Sequence, residues 1–309
     1  MVGRLLLGVP TLFVVSLLVF GLQALVPGDA AATVLGENAT PEAVASLRRQ
    51  MGLDQPFGER YLHWLQGLVH GDLGTSVFTG EPVTLALNAR LGVTTSLIVL
   101  SVLVSTVVGV TLGMSSAVRG GWVARLVDLL SLFGVALPSF WVALVLVATF
   151  AVRLQWFPAT GYTDPVQSVG GWLLSVVLPV AALSLYGVTA VAKQTRDSAM
   201  ETLASDWIRV LRANGVPERR IVLRHVLRNA SLPVVSVIGL IAVGTLDGTV
   251  FIENVFGLPG LGGRAVQGTV DHDLPVVMGI AVYFSLLVIF INLLVDLAYG
   301  LLNPRVRAS

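Results

Sequence analysis

Few side chains in this sequence could do covalent chemistry. With no cysteine, disulfides, thiolate metal sites and cysteine nucleophiles are excluded. His63, His70, His225 and His272 have no metal-ligand spacing, and surface roles suit them best. Neither a Ser-His-Asp set nor a pair of catalytic carboxylates can be assembled, and no G-x-x-x-x-G-K-[ST] phosphate loop occurs. No catalytic, cofactor-binding or metal-binding residues are therefore expected, and an intramembrane hydrolase lacks its catalytic set.

What remains is charge in unusual places. Asp247 lies in the apolar stretch "VGTLDGTVF". A carboxylate inside a membrane span is costly and usually faces a polar cavity or a partner. Two roles stay open for it: meeting a cationic group such as a peptide α-amine in a translocation path, or a structural bond to another span. Asn292 and Asp296 fall four residues apart on one face of the last apolar segment, where a salt link or helix-end contact suits Asp296. Asp128 opens another apolar segment and reads as interfacial. The second anomaly is "DWIRVLRANGVPERR", residues 206–220. Six of these fifteen residues are charged in a chain that is only 12% charged overall.

The elements that must position these residues are membrane spans. Hydrophobic residues make up 55% of 309, too much for the interior of one soluble domain. Runs of about 18 or more apolar residues read as spans, because roughly 20 helical residues cross a ~30 Å hydrocarbon core. The fold class expected is an all-α polytopic membrane protein with six transmembrane helices near 5–26, 90–117, 126–151, 172–192, 232–252 and 276–300. Pro138 and Pro179 interrupt two of them and can kink a span whose neighbours tolerate it. The first apolar run is too long for a signal-peptide core and is read as a retained span. With both termini inside, thirteen basic residues lie in inner segments and six in outer ones. The positive-inside rule therefore favours an N-in, C-in orientation. The net charge of +1 leaves no footprint for nucleic acid.

This divides the chain into a first transmembrane helix (1–26), an outer segment (27–89) and a core of five further helices (90–309). The core carries an inner basic region at 193–231. In the outer segment, Thr40 can cap and Pro41 can open a helix running through Gln50. Residues 61–69 are spaced for a helix lying at the membrane interface. In the inner region, Ser205 can accept an amide bond at a helix start and Asp206 complements the dipole. Trp207, Val210 and Leu211 share one narrow apolar face, with Arg209 and Arg212 off it. Gly215 suits the left-handed residue that ends a helix, and Pro217 prevents continuation. A second helix over 218–230 then leads to the fifth span. Such a basic amphipathic helix can lie on anionic lipid or dock a soluble partner.

"DWIRVLRANG" followed by "RRIVLRHVLRNASLPV" resembles the cytoplasmic loop of ABC-transporter permeases of the dipeptide/oligopeptide/nickel importer family. "LVPGDAA", "MGLDQPFGERYLHWLQGLVHGDLGTSV", "FIENVFGLPGLGG" and "NLLVDLAYGLLNPRVR" agree in the same order, so the resemblance covers nearly the whole chain. It points to the B-type, or first, permease subunit and the type I importer permease fold. It implies a multi-pass protein of the bacterial cytoplasmic membrane that is not an enzyme and forms half of a pathway. A second homologous permease would form the other half. Two ATPase subunits would hold ATP and Mg, and an extracytoplasmic substrate-binding protein would deliver cargo. Peptides are the cargo implied, with nickel or glutathione as alternatives within the family.

The resemblance makes the helix in 206–215 a coupling helix seated on an ATPase. Asp206, Arg209, Ala213 and Gly215 match the family pattern, and Trp207 and Arg212 belong to the same helix. Val210 and Leu211 depart from the small residues usual there, and Asn214 from a commonly basic one, so the packing of the helix should be its own. The family usually has a small residue at Asp247. Glu253, Asn254, Gly257, Pro259 and Gly260 fall in the outer "FIENVFGLPGLGG" stretch and read as a re-entrant or gating loop, or as an ordinary turn. A different class of function, a proton-coupled secondary transporter using Asp247 or Asp296, would call for inverted repeats, and no internal symmetry stands out.

Overall fold

The computed structural model describes residues 2–25, 28–36 and 39–302. Val26, Arg305 and Arg307, used above for the first span and the charge count, lie outside the described residues. Among the described residues the chain is helical, with one isolated bridge between Thr75 and Pro82. The helices are α1 (Val2–Leu25), α2 (Ala30–Leu35), α3 (Pro41–Gln50), α4 (Phe57–Val69), α5 (Val83–Arg119), α6 (Gly121–Ala136) and α7 (Ser139–Leu146). They continue with α8 (Val169–Ala204), α9 (Asp206–Ala213), α10 (Glu218–Arg220), α11 (Leu227–Phe256), α12 (Leu261–Val270) and α13 (Leu274–Leu302). Wider π-helical turns extend α7 over Val147–Arg153 and fuse α10 to α11 over Ile221–Val226.

Among the described residues the expected spans fall on helices, apart from a break at Leu137–Pro138 in the third. Val83–Arg119, Val169–Ala204, Glu218–Phe256 and Leu274–Leu302 are each long and apolar enough to cross a bilayer. The α6–α7 pair passes the same test as one bent span. Helix α1 runs 24 residues, and its apolar part, Gly8–Gln23, is shorter than those of the other spans. Two details differ from expectation. The third span is broken rather than kinked: Leu137 before Pro138 is extended (φ −95°, ψ 118°), the conformation a following proline imposes. The helix expected over 218–230 does not stop before Pro233, which instead lies inside one continuous helical run from Glu218 to Phe256.

Packing divides the chain into two units, Met1–Thr94 with Pro259–Phe290 and Thr95–Leu258 with Ile291–Ser309. In the first, α4 lays Tyr61 into a core with Phe20 and Met278, and the Tyr61 hydroxyl shares a 2.8 Å hydrogen bond with Ser16. Helix α3 starts as expected, with Thr40 Oγ1 accepting from the Ala43 amide. Asp29 caps α2 by accepting from Ala31 N at 2.9 Å and from Arg48 at 2.8 Å, while Arg48 also donates to Asp54 at 3.1 Å. Burial pushes the Asp29 carboxyl up, but the Arg48 and Ala31 hydrogen bonds outweigh it and hold the group below the usual carboxylate range.

In the second unit α8 is the hub. Ser101, Ser105, Gly109 and Gly113 recur every four residues on α5 and let its backbone approach α8 closely. A Cβ on Gly109 would sit 2.7 Å from Val191 Cβ, and one on Gly113 would strike the Ala192 carbonyl. Gly134 on α6 meets Thr189 in the same way, and Asp128 of α6 pairs with Arg196 of α8.

Candidate functional site

Helix α9 is short and amphipathic, and its anchor is not the expected one. Ile208 is fully buried in a cluster with Met114, Ala199, Ile221, Val226 and Ala230, and Leu211 and Val216 pack beside it. Trp207 and Val210 remain 41% and 58% exposed. Two apolar pairs at i, i+3 spacing compete on this helix. The pair Ile208–Leu211 took the core, leaving Trp207 and Val210 about one residue's rotation, ~100°, away. Ser205 occupies the cap position, but its hydroxyl donates to Thr202 O at 2.5 Å rather than accepting an amide. Its carbonyl accepts from Ile208 N instead.

The C-terminal stop forms as expected. Gly215 has φ +74°, its amide bonds Arg212 O at 3.0 Å, and Val216 N bonds Leu211 O at 3.1 Å. These two bonds, with Val216 packed near Leu211, make a complete Schellman motif. Across this turn Arg212 grips Glu218 through Nη2–Oε1 at 2.7 Å and Nε–Oε2 at 3.1 Å. The Arg212 hydrogen bond holds the Glu218 carboxyl below its usual range. Arg209 pairs with Asp206 at 3.1 Å, with both side chains open to solvent. Asp206, Trp207, Arg209, Val210, Arg212, Ala213 and Gly215 are thus all exposed on a helix whose ends are fixed. Its exposed surface mixes charge and apolar area and is edged by Trp207, which meets His225 edge-on at 6.2 Å.

Asp247 lies on an exposed stripe of α11 that runs through Pro233, Ser236, Leu240, Gly244, Asp247, Phe251 and Asn254. The spacings of three and four place these residues on one face. The opposite face, with Ala242, Thr245, Leu246 and Thr249, is buried. Asp247 and its neighbours Gly244 and Phe251 line an open cavity of about 420 Å³ with Phe140, Tyr186 and Pro138. Phe140 and Phe251 stand 6.1 Å apart.

The expected outer loop is mostly helix. Glu253 and Asn254 sit in the last turn of α11, with Glu253 buried and Asn254 exposed. Gly257 (φ +59°) ends the helix in a second Schellman motif, its Leu258 amide bonding Glu253 O at 2.8 Å. Gly260 then opens α12, so the glycine-rich run turns the chain in four residues, 257–260, rather than forming a long loop. Sequence reasoning missed a buried node in the first unit. Asp273, fully buried, accepts from Ser76 Oγ at 2.5 Å and lies 3.6 Å from Arg264, itself 10% exposed. Little in the sequence marks it: Asp273 follows "TVDH" at a helix end, with Arg264 one helix earlier. His272 before it takes the left-handed conformation (φ +57°), and Asp273 N bonds Gly268 O at 2.8 Å.

Among the described residues no group of acids and histidines could hold a metal ion. The arrangement offers an exposed amphipathic helix and an open cavity lined in part by Asp247. Comparison with known proteins assigns the chain to a family. Residues 109–308 match the model described as "Binding-protein-dependent transport system inner membrane component", and residues 1–98 match the N-terminal model of such membrane components. A Brucella abortus (strain 2308) protein named "Putative peptide transport system permease protein" is 40% identical over 305 residues, covering 98% of this chain and 97% of its own. A "Probable peptide ABC transporter permease protein" of Sinorhizobium fredii is 38% identical over 98% of this chain and 97% of its own. The "Glutathione transport system permease protein" of Pectobacterium atrosepticum is 37% identical over 99% and 98%. The chain belongs to the family of binding-protein-dependent transport system inner membrane components and is a multi-pass permease subunit of an ABC importer.

Proposed function

We propose that this permease imports di- or oligopeptides, forms its pathway with a second homologous permease, and receives the motion of two ATPase subunits through α9. The observation that carries the coupling role is the split of α9 into a seated face at Ile208 and an unburied one at Trp207, Val210 and Ala213. A helix fixed at both ends transmits displacement instead of absorbing it. An ATPase can bias the inward-outward equilibrium only if it contacts the two states differently. Asp206, Arg209 and Arg212 supply the charged rim of that contact, and Gly215 supplies the turn that returns force to α11. ATP and Mg belong to the partner subunits.

The peptide assignment rests on the names carried by the relatives, two for peptides and one for glutathione. In this reading Glu253, Asn254, Gly257, Pro259 and Gly260 form the outer gate. The outer segment 27–89 meets the extracytoplasmic binding protein. Reconstitution of the complex in proteoliposomes tests the whole reading. Uptake of a labelled peptide should require ATP, the ATPase subunits and the binding protein. Uptake of glutathione or nickel in place of peptides would move the cargo within the family. Uptake driven by a proton gradient without ATP would overturn the reading.

A further inference from the structure

The exposed stripe of α11 is not uniformly apolar. In the same unit the stripe of α5 is, with Val99, Leu103 and Val107 all more than half exposed, whereas on α11 polar positions alternate with Leu240 and Phe251. On α11 the corresponding positions include Ser236, Gly244, Asp247 and Asn254. Asn254 donates to Val250 O at 2.7 Å, so its amide is partly satisfied within the helix. Asp247 has no ion-pair partner among the described residues, and it shares the cavity with the rings of Phe251, Phe140 and Tyr186 and with Ser139 and Thr245. These rings are open to the cavity side, at 58%, 42% and 49% exposure. One carboxylate beside several aromatic faces is the chemistry that holds an organic ammonium. The carboxylate supplies charge and the rings add cation–π attraction.

Resting on the importer reading above, we infer that Asp247 and this aromatic cavity form an intramembrane subsite for a primary ammonium group, so that the permease itself selects cargo by charge. For a peptide cargo the ammonium is the free N-terminus. The need is physical: an ammonium crossing a low-dielectric region loses hydration, and a fixed counter-charge part-way offsets that loss. The cavity's ~420 Å³ accepts a few residues of peptide and not a folded partner. It falls within the usual range for small-molecule sites.

The absence of cysteine makes a direct test simple. In the assembled transporter, Gly244→Cys places one thiol on this chain a turn from Asp247. Its modification by a cationic and an anionic thiosulfonate is followed as the mass of this subunit. With Asp247 present the cationic reagent should react faster, and Asp247→Asn should lower the cation-to-anion rate ratio roughly tenfold, as loss of one nearby charge at low dielectric implies. An unchanged ratio would show Asp247 already paired with a second subunit and would overturn the subsite. So would failure of both reagents to react, which would place the stripe against lipid or protein. Uptake separates this inference from the importer reading. Asp247→Asn should depress ATP-driven uptake of trialanine while sparing its N-acetylated form, and Asp247→Glu should restore part of the difference. Equal loss for both peptides counts against the subsite and leaves the importer intact. Absence of ATP-driven uptake in the parent complex strikes the importer reading whatever the reagent ratio.

Discussion

Asp273 and Asp29 show how differently one residue type behaves in two settings. Asp273 is fully buried with Arg264 as its charged neighbour, so its removal would strand a guanidinium that is 10% exposed. Breaking a buried pair on one side typically costs ~3–5 kcal/mol, whereas deleting a neutral hydrogen-bond partner costs ~1 kcal/mol. Asp273→Ala should therefore lower the thermal unfolding midpoint in nanodiscs clearly more than Ser76→Ala; equal losses would mean that Arg264 finds another partner. Asp29 lies near the surface, and its folded carboxyl titrates below the ordinary value. Its contribution is complete above the unfolded value of ~3.9 and is lost as pH falls through the depressed one. Hydrogen exchange at the Ala31 amide should accelerate in that acid window, and Asp29→Asn should flatten the response. Asp247 was legible from composition alone because a carboxylate among apolar residues is conspicuous. Asp273 was not, because it stands at a helix end where acids are ordinary, and only the fold brings Ser76 from 197 residues away.

At the scale of elements, helix ends were more legible than helix faces. "RANGV" and "VFGLP" each end a helix in a Schellman turn, and "QMGLD" and "VHGDL" do so as well, with Gly52 and Gly71 at positive φ. In each case glycine supplies the left-handed residue at no steric cost. Faces were ambiguous because α9 has two apolar pairs of the same spacing, and the choice between them depends on Ile221 and Val226, which arrive from the other side of the turn. The third span shows the same limit. Pro138 signalled disturbance, but whether a proline kinks or breaks a helix depends on the packing of α6 and α7 on α8, which a local pattern does not contain. The Gly215 turn supports a prediction at this scale. Proline cannot adopt φ +74° and has no amide to bond Arg212 O, so Gly215→Pro must distort the link from α9 toward α11. ATP-driven uptake should fall by about tenfold or more, as for a loss of ~1.4 kcal/mol or more in coupling. Basal ATP hydrolysis and membrane insertion should persist. Parallel loss of expression would instead mark the turn as a folding requirement.

For the whole molecule the orientation follows from charge, and it decides what each site can meet. With the termini taken as inside, the inner segments carry thirteen basic residues against six outside, a bias that favours this topology without any motif. Under the proposed function it would put α9 with ATP-consuming partners and α3 and α4 with a delivering protein, so the proposed roles stand or fall with it. Because the chain contains no cysteine, one introduced thiol reports its own side of the membrane. Glu59 on α4 and Arg219 on α10 are both exposed, so either substitution leaves packing alone. In intact spheroplasts a membrane-impermeant maleimide should label Glu59→Cys at once and Arg219→Cys only after permeabilisation. In inside-out vesicles the order should reverse. Labelling of both thiols from one side would break the odd number of spans expected between them, and a swapped order would invert the molecule. In the inverted case α9 would face the binding protein, and the Trp207–Val210 face would need a different partner.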